Sequence, residues 1–193
     1  DLKFLMSHLA CADEPSHPLN ARQLDEFSRA RSLLGAPPAS LANSSGIFLG
    51  PEYHFNLVRT GGALYGMNPT SNTSSPMDSV VKLEAPILQL RDVDSPMTVG
   101  YGASSRVEGL GRIATVAVGY ADGYLRSLSN KGSAFVNGVR VPVVGRVSMD
   151  YITLDVSKIP EDKVRPGSVV ELIGPYHSID ALAEEAGTLA YEI

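Results

Sequence analysis

The sequence has little of what several large classes of protein require. It contains one cysteine, Cys11, and no tryptophan, so no intrachain disulfide can form. A lone cysteine in an apolar stretch is typical of an inert core position, and a chain without disulfides fits a reducing compartment. We therefore expect a cytoplasmic protein that does not depend on cross-links for its stability.

The chain also lacks concentrated positive charge and long apolar runs. It carries 16 Lys and Arg against 21 Asp and Glu, which gives a net charge of −5. No stretch gathers the basic residues that phosphate contacts need, so we expect no nucleic-acid partner. No uninterrupted apolar run approaches the length of a membrane span, so we expect no membrane partner. We also expect no metal site.

Residues 1–76 alternate between strand-like and helix-like patterns. Apolar residues recur at helical spacing between Leu19 and Leu34, which predicts a helix. The predicted strands are 2–9, 40–44 and 55–59. Strand, helix, strand is typical of a parallel sheet with helical crossovers. Residues 67–77 are rich in turn formers and poor in apolar residues, so we place a domain boundary within them, after residue 76.

Residues 77–193 favour strands over helices. The predicted strands are 81–87, 113–118, two arms within 133–144, 151–156 and 169–173. Asn137-Gly138 lies between two apolar runs and predicts a type I′ hairpin turn. Ser178 predicts the N-cap of a short helix. The second domain is therefore expected to be mainly antiparallel β, as a small barrel or a sandwich.

Three runs in this second domain place glycine beside tyrosine, methionine or arginine: Thr98–Ala103, Gly119–Tyr124 and Gly145–Asp150. Glycine lets the backbone approach a ligand closely, and a tyrosine there can move a proton. The phenol is a weak base unless neighbouring cations favour its ionised form. The residues alone favour a packed aromatic at Tyr101 and a plain hairpin at the second run.

Polar and small residues follow each predicted strand of the first domain. His8–Glu14 follows the first, Asn43–Gly46 the second and Arg59–Gly62 the third. Functional groups gather at the carboxyl ends of parallel strands, and small residues there leave backbone N–H groups that can hold a phosphate. The alternatives are a solvated acidic turn after His8, and tight turns with Arg59 paired to a carboxylate.

Taken in order and with their spacing, these runs resemble alanine racemase over nearly the whole chain. Further stretches that carry the resemblance are Leu41–Ser45, Leu57–Gly61, Leu64–Gly66 and Tyr191–Ile193. The family uses pyridoxal 5′-phosphate to interconvert L- and D-alanine, which supplies D-alanine for peptidoglycan. It joins an N-terminal (β/α)₈ barrel to a C-terminal β domain. The resemblance implies an α/β plus all-β fold: the last strands of the barrel at 1–76, then the mainly antiparallel β domain at 77–193.

The resemblance also assigns roles to particular residues of this chain. Tyr101 resembles the catalytic base, which reaches into the partner subunit's site in a homodimer. The implied cofactor-binding residues are His8, Asn43, Ser44, Arg59, Gly61 and Gly62. Met149 resembles the residue whose backbone N–H meets the carboxylate of the small amino-acid substrate. The implied lining of the access channel is Asp13, Tyr120, Arg126 and Arg146. Arg59 resembles the arginine that faces the cofactor's pyridine nitrogen, which stays unprotonated because a guanidinium keeps its proton.

The departures from the family pattern limit what this chain is expected to do alone. In the family, one lysine binds the cofactor and is also the second base. None of the lysines of this chain lies in a local sequence that resembles that of the family's lysine. The lysines compared are Lys3, Lys82, Lys131, Lys158 and Lys163. We therefore expect a fragment or an incompletely represented chain that neither links the cofactor nor racemises alanine by itself. The alternatives are a non-catalytic β-domain dimerisation module, and a racemase of serine or of broader amino-acid specificity.

Overall fold

The computed structural model describes residues 2–70 and 74–193, and the chain divides into two compact units. Unit 1 spans Asp1–Val80 and unit 2 spans Val81–Ile193. Part of the predicted linker, residues 71–73, lies outside the described residues. Over the described ranges, no helix is long and apolar enough to cross a membrane. No group of three or more His, Cys, Asp or Glu side chains in those ranges could hold a metal ion.

Unit 1 is a strand–helix–strand piece with a parallel strand pair. Its elements are β1 (Leu5–Met6), α1 (Pro18–Leu33), β2 (Ala39–Ser40) and the single turn α2 (Ser44–Ile47). The two strands pair in parallel, with Leu5 opposite Ala39 and Met6 opposite Ser40. Short 3₁₀ turns follow at Pro51–Tyr53 and Gly62–Tyr65. The parallel crossover predicted for this part of the chain is confirmed.

Local chemistry starts α1 and burial holds it in place. Pro18 occupies the first turn, where its missing N–H leaves no hydrogen bond unmade, and the His17 imidazole accepts from the N–H of Leu19 at 3.2 Å. Phe27 lies on the buried side and meets Phe55 edge-on, with ring centroids 5.0 Å apart. The buried core of unit 1 comprises Leu9, Ala12, Phe27, Ala39, Leu41, Ala42 and Tyr53.

Two of the predicted strands of unit 1 are much shorter than expected, and the third is absent. Of the run 2–9 only β1 is a strand, and Met6 is 62% exposed, because β1 pairs with β2 alone. The run 40–44 leaves the sheet after Ser40. The run 55–59 is not a strand, because the positive φ of Phe55 (51°) interrupts extended backbone. Its backbone donates from Asn56 N to Ala39 O in β2 and from Arg59 N to Ala42 O, two residues beyond β2.

Unit 2 is an antiparallel sheet that closes on itself. Its strands are β3 (Leu83–Val93), β4 (Met97–Val99), β5 (Ser105–Val107), β6 (Gly111–Val116), β7 (Ser133–Val136), β8 (Val139–Pro142), β9 (Ile152–Asp155) and β10 (Val169–Ile173). Six of them form one sheet in the order β8-β7-β10-β3-β6-β9, with every pairing antiparallel. Val143, just beyond β8, makes an antiparallel bridge with Leu154 of β9. The two outer strands therefore meet, which leaves little open edge.

The hairpin and the helix predicted for unit 2 are confirmed. Asn137 and Gly138 have φ of 50° and 76° and connect β7 to β8, as a type I′ turn requires. The helix α3 is Ile179–Ala186, and the Ser178 hydroxyl accepts from the N–H of Ala181 at 3.1 Å. The hairpin β4–β5 was not predicted, because its three-residue strands are too short for a clear alternation.

A partly buried carboxylate links α3 to the sheet. Glu185 accepts from the backbone N–H of Ser133 (2.7 Å), from its hydroxyl (2.6 Å) and from Arg140 (2.8 Å). Burial alone would raise the pKa of Glu185, but these hydrogen bonds and the nearby His177 lower it below its usual value. His177 itself lies 3.6 Å from the carboxylate, which is too long for a hydrogen bond. The ion pair with Arg140 thus ties α3 to β8.

Candidate functional site

The guanidinium of Arg59 is fixed at the end of the parallel strands of unit 1. Its Nη1 donates to the Ser40 hydroxyl at 2.7 Å, and its Nη2 donates to the carbonyls of Ser7 (2.9 Å) and Leu41 (3.3 Å). Within residues 2–70 and 74–193, no acceptor for Nε is found. The Nε–H of Arg59 is therefore a donor without a described acceptor, on a group whose position the strand ends determine. The carboxylate pairing considered for Arg59 from the sequence is wrong, since its partners are a hydroxyl and carbonyls.

His8 lies between Arg59 and Asn43. Its Nδ1 is 3.3 Å from Arg59 Nη2, and its Nε2 is 3.4 Å from the amide nitrogen of Asn43. The Asn43 amide is oriented by its oxygen, which accepts from the N–H of Gly46 at 2.9 Å. A neutral imidazole has one acceptor nitrogen, so one of the two contacts is a hydrogen bond and the other is packing. The three side chains thus form one contiguous group.

Ser44 organises the backbone that follows Arg59. Its buried hydroxyl oxygen accepts from the N–H of Gly61 at 2.9 Å and from the N–H of Ala63 at 3.2 Å. Because the oxygen is an acceptor in both bonds, its own proton remains to donate elsewhere. Gly62 begins the 3₁₀ turn Gly62–Tyr65 beside it. A hydroxyl donor next to a glycine backbone is a donor set suited to a phosphate.

Tyr101 stands on a tight loop between β4 and β5 in unit 2. Gly100 and Gly102 have φ of 77° and 70°, and Ala103 has φ of 49°, so the chain reverses around the tyrosine. Glycine adopts such φ values without steric strain, whereas the Cβ of Ala103 makes this conformation strained. Tyr101 is 72% exposed, and its hydroxyl has no hydrogen-bond partner within the described ranges. The packed aromatic that the residues alone favoured is therefore wrong.

The loop lies directly against the third glycine run. A Cβ on Gly100 would lie 3.1 Å from the backbone nitrogen of Arg146, and a Cβ on Gly145 would lie 3.1 Å from the carbonyl of Val99. A Cβ on Gly102 would be 3.4 Å from the Arg146 guanidinium carbon. The positive charge of Arg146 thus lies against the Tyr101 loop. An open pocket of about 420 Å³ is lined here by Tyr101, Arg146, Ser148 and Tyr151 among others.

The second and third runs interlock around Gly119. The N–H groups of Tyr120 and Ala121 donate to the carbonyls of Ser148 (3.0 Å) and Met149 (2.9 Å). A Cβ on Gly119 would lie only 2.2 Å from the Met149 oxygen, so no side chain fits there. The backbone N–H of Met149 has no acceptor among the residues that the structure describes. Glycine at position 119 therefore permits the close approach of the two runs. In this arrangement the backbone N–H of Met149 remains available to a ligand.

Tyr124, at the end of the second run, differs from Tyr101 in environment. It is buried, and its hydroxyl has no protein partner in the described part of the chain. Burial, with a smaller contribution from Glu185, raises the pKa of Tyr124 well above its usual range. A phenol in this setting does not ionise readily, so Tyr124 is poorly suited to proton transfer.

The predicted channel residues are all exposed, but they do not lie in one unit. Asp13 lies between β1 and α1 in unit 1. Tyr120, Arg126 and Arg146 lie in unit 2, where Tyr120 and Arg126 each begin a 3₁₀ turn. Only Arg146 has a described neighbour in the Tyr101 loop, through Gly102. Their role as a channel stays a prediction.

All five lysines of the chain are exposed. Lys82 pairs with Glu84 at 2.7 Å, and this hydrogen bond raises the pKa of Lys82. A lysine that forms an imine needs the opposite environment, one that favours its neutral amine. The exposed, ion-paired Lys82 does not offer that environment.

Two polar residues escaped the sequence-based prediction. Ser40 anchors Arg59, and only the pairing of strand ends brings two residues so distant in sequence together. Asn130 bonds both the Tyr101 loop and Gly145. Asn130 precedes Lys131-Gly132, and asparagine is the residue, after glycine, that most readily adopts left-handed backbone, so its φ of 57° was predictable in principle.

Comparison with known proteins agrees with this two-part organisation. Residues 1–69 match the family model "Alanine racemase, N-terminal domain", and residues 80–193 match "Alanine racemase, C-terminal domain". The chain thus carries matches to both domains of a class of two-domain proteins. It belongs to the alanine racemase family.

Individual relatives give the extent of the similarity. The chain is 56% identical over 189 residues to an alanine racemase of Rhodospirillum rubrum, and 52% identical over 193 residues to a catabolic alanine racemase of Mesorhizobium japonicum. These alignments cover 98% and 100% of this chain but 50% of each relative. The crystal structure of Bartonella henselae alanine racemase with covalently bound pyridoxal phosphate superposes with a TM-score of 0.93 at 41% identity, over all of this chain and 53% of that one. The chain therefore spans about half the length of these relatives.

Proposed function

We propose that this chain is the C-terminal half of an alanine racemase that uses pyridoxal 5′-phosphate to interconvert L- and D-alanine. The observation that carries the proposal is Tyr101, an exposed phenol without a described protein partner, held beside Arg146 in a chain 56% identical to an alanine racemase. The remaining residues of both units have compatible chemistry.

The donor set of unit 1 fits the proposed cofactor. The Ser44 hydroxyl has a proton to donate to the phosphate, and the Nε–H of Arg59 faces no described acceptor, so it can meet the pyridine nitrogen. His8 and Asn43 lie against Arg59 and support its position. When bound, the cofactor withdraws electrons from the substrate Cα and acidifies its hydrogen. Arg59 limits this effect, because its N–H is a hydrogen-bond donor that does not release its proton.

Tyr101 and Met149 would act on the substrate. Racemisation requires one group to remove the Cα proton on one face and another to deliver a proton on the opposite face. Tyr101 would be one of these groups, and the Arg146 guanidinium lies against the loop that carries it. The available N–H of Met149 would bind the substrate carboxylate. Tyr120, Arg126, Arg146 and Asp13 would line the access channel and restrict it to small amino acids, with alanine preferred over serine.

The proposed reaction would also need a partner subunit and a lysine from a further segment. We propose a homodimer in which Tyr101 reaches the cofactor site of the partner subunit. The exposed lysines do not suit a covalent cofactor link, so a further segment would supply the lysine that is the second base. The chain alone would therefore be inactive. We further propose that the enzyme acts in the cytoplasm and supplies D-alanine for peptidoglycan.

A hybrid protein tests this proposal. The hybrid joins this chain to the N-terminal half of the Rhodospirillum rubrum alanine racemase, in place of that enzyme's own C-terminal half. We expect the hybrid, with pyridoxal phosphate, to racemise alanine faster than serine, and the chain alone to leave both unchanged. Chiral chromatography of the amino acid measures both rates.

The R. rubrum enzyme itself is the positive control. A hybrid that folds and binds the cofactor yet leaves alanine unracemised would contradict the proposed function. Faster turnover of serine than of alanine would support amino-acid racemisation but contradict alanine as the preferred substrate.

A further inference from the structure

The Tyr101 loop has few bonds of its own to keep the tyrosine in place. Within the loop, the N–H of Ala103 donates to the carbonyl of Gly100 at 3.2 Å. Gly100, Gly102 and Ala103 all have positive φ, and the tyrosine ring is mostly exposed. Glycine-rich backbone of this kind has large conformational freedom. The position of the phenol must therefore depend on contacts with neighbouring segments.

The neighbouring segment that holds the loop contains Asn130. The Asn130 amide nitrogen donates to the carbonyl and the hydroxyl of Ser104, the last residue of the loop, each at 3.3 Å. Its amide oxygen accepts from the N–H of Gly145 at 2.6 Å, and its own N–H donates to the Gly145 carbonyl at 3.2 Å. One side chain thus joins the exit of the Tyr101 loop to the start of the run containing Arg146.

At their point of closest approach, the Tyr101 loop and the run containing Arg146 meet through glycine backbone. Gly100 and Gly145 meet backbone to backbone, with room for neither a Cβ on Gly100 nor one on Gly145 at normal distances. The backbone of Asn130 is left-handed, with φ of 57°, and this conformation orients its side chain toward both segments. Its neighbour Ser129 accepts from the N–H of Val147 at 3.0 Å, so the same segment fixes the run further along.

We propose that Asn130 is a positioning residue that holds the Tyr101 phenol in register with Arg146 and Met149. It does so through its amide, which bonds Ser104 on one side and Gly145 on the other. The inference rests on the proposed function, in which Tyr101 transfers the proton on one face of the substrate. Displacing a reacting group by about 1 Å slows its step by up to about 100-fold. Loss of the amide should therefore slow proton transfer on the Tyr101 face alone.

Hydrogen exchange at the alanine Cα separates the two faces. In D₂O, the hybrid replaces the Cα hydrogen of one enantiomer through Tyr101 and that of the other through the second base. The variants are Asn130→Gly, which keeps the left-handed backbone and removes the amide, and Asn130→Asp, which keeps the acceptor for Gly145 and removes the donor to Ser104. The matched control is Asn137→Gly, because Asn137 also has positive φ (50°) and bonds another segment, the Lys163 carbonyl at 2.7 Å.

We expect Asn130→Gly to slow exchange on the Tyr101 face by about 10- to 100-fold and to leave the other face unchanged. Asn130→Asp should show a smaller loss on the same face, and Asn137→Gly should show none. Equal losses on both faces, or no loss, in the Asn130 variants would overturn the positioning role. Tyr101→Phe run in parallel identifies its face. If Tyr101→Phe itself lacked a face-selective loss, the proposed function would fail first and the positioning role with it.

Discussion

Replacing Tyr101 by phenylalanine in the hybrid is expected to slow alanine racemisation strongly in both directions. The change removes one hydroxyl that bonds no described residue, so the thermal stability should not change. Losing a general acid–base group typically slows a reaction by about 10²- to 10⁴-fold. The two enantiomers have equal free energies, so their kcat/KM values must fall together. Chiral chromatography from each enantiomer measures both directions.

Exchange of the Cα hydrogen in D₂O shows whether Tyr101 serves one face only. One enantiomer of alanine should keep its normal exchange rate in Tyr101→Phe, because the second base still acts on its face. Tyr176→Phe is the control, since Tyr176 is an exposed tyrosine of unit 2 that stacks on Phe135 and belongs to no proposed site. Normal racemisation by Tyr101→Phe would show that another group is the base.

Replacing Gly119 by alanine should damage both the fold of unit 2 and substrate binding. The new methyl would lie 2.2 Å from the Met149 oxygen and 2.5 Å from the Ser148 oxygen, both of which are backbone atoms. The two runs would have to separate, which costs about 3 kcal/mol of unfolding free energy by analogy with overpacked cores. The same movement displaces the Met149 N–H. We therefore also expect the KM of the hybrid for alanine to rise about tenfold, the loss of one hydrogen bond of about 1.4 kcal/mol.

Urea unfolding and steady-state kinetics of the hybrid measure these two effects. Gly109→Ala is the matched control, because a Cβ at Gly109 meets no atom within 4 Å. That substitution should change the unfolding free energy by no more than about 0.5 kcal/mol. If Gly119→Ala were as stable as Gly109→Ala and had an unchanged KM, the interlocked runs would not position Met149.

The fold of unit 2 was more predictable from the sequence than that of unit 1. The Asn137-Gly138 turn specifies its hairpin locally, and the predicted strands 113–118 and 169–173 correspond to β6 and β10, which are paired on both sides. In unit 1, by contrast, the run 2–9 is apolar, yet only Leu5–Met6 is a strand. Strand length depends on partners, and β1 has β2 as its one neighbour in the described chain. An apolar run alone does not contain that information.

The chemistry of the site was partly readable from residue types, but its geometry was not. The residues after the strands of unit 1 suggested an anion site, and Arg59, His8, Asn43 and Ser44 do lie in one connected region. The residues alone favoured packing for Tyr101, since a tyrosine between glycines is equally compatible with burial. The position of the Tyr101 loop depends on its close contact with Gly145, which lies more than forty residues further along the chain. Such contacts follow from topology and not from local sequence.

Borohydride reduction tests most directly the central claim that this chain supplies proton-transfer and cofactor-anchoring groups but not the cofactor lysine. The 193-residue chain and the hybrid are each incubated with pyridoxal phosphate, reduced, and weighed by intact mass spectrometry before peptide mapping. The account predicts one pyridoxyl group per hybrid molecule, on a lysine of the segment taken from the relative, and no stoichiometric adduct on the chain alone. A stoichiometric adduct at one defined lysine of these 193 residues would contradict it.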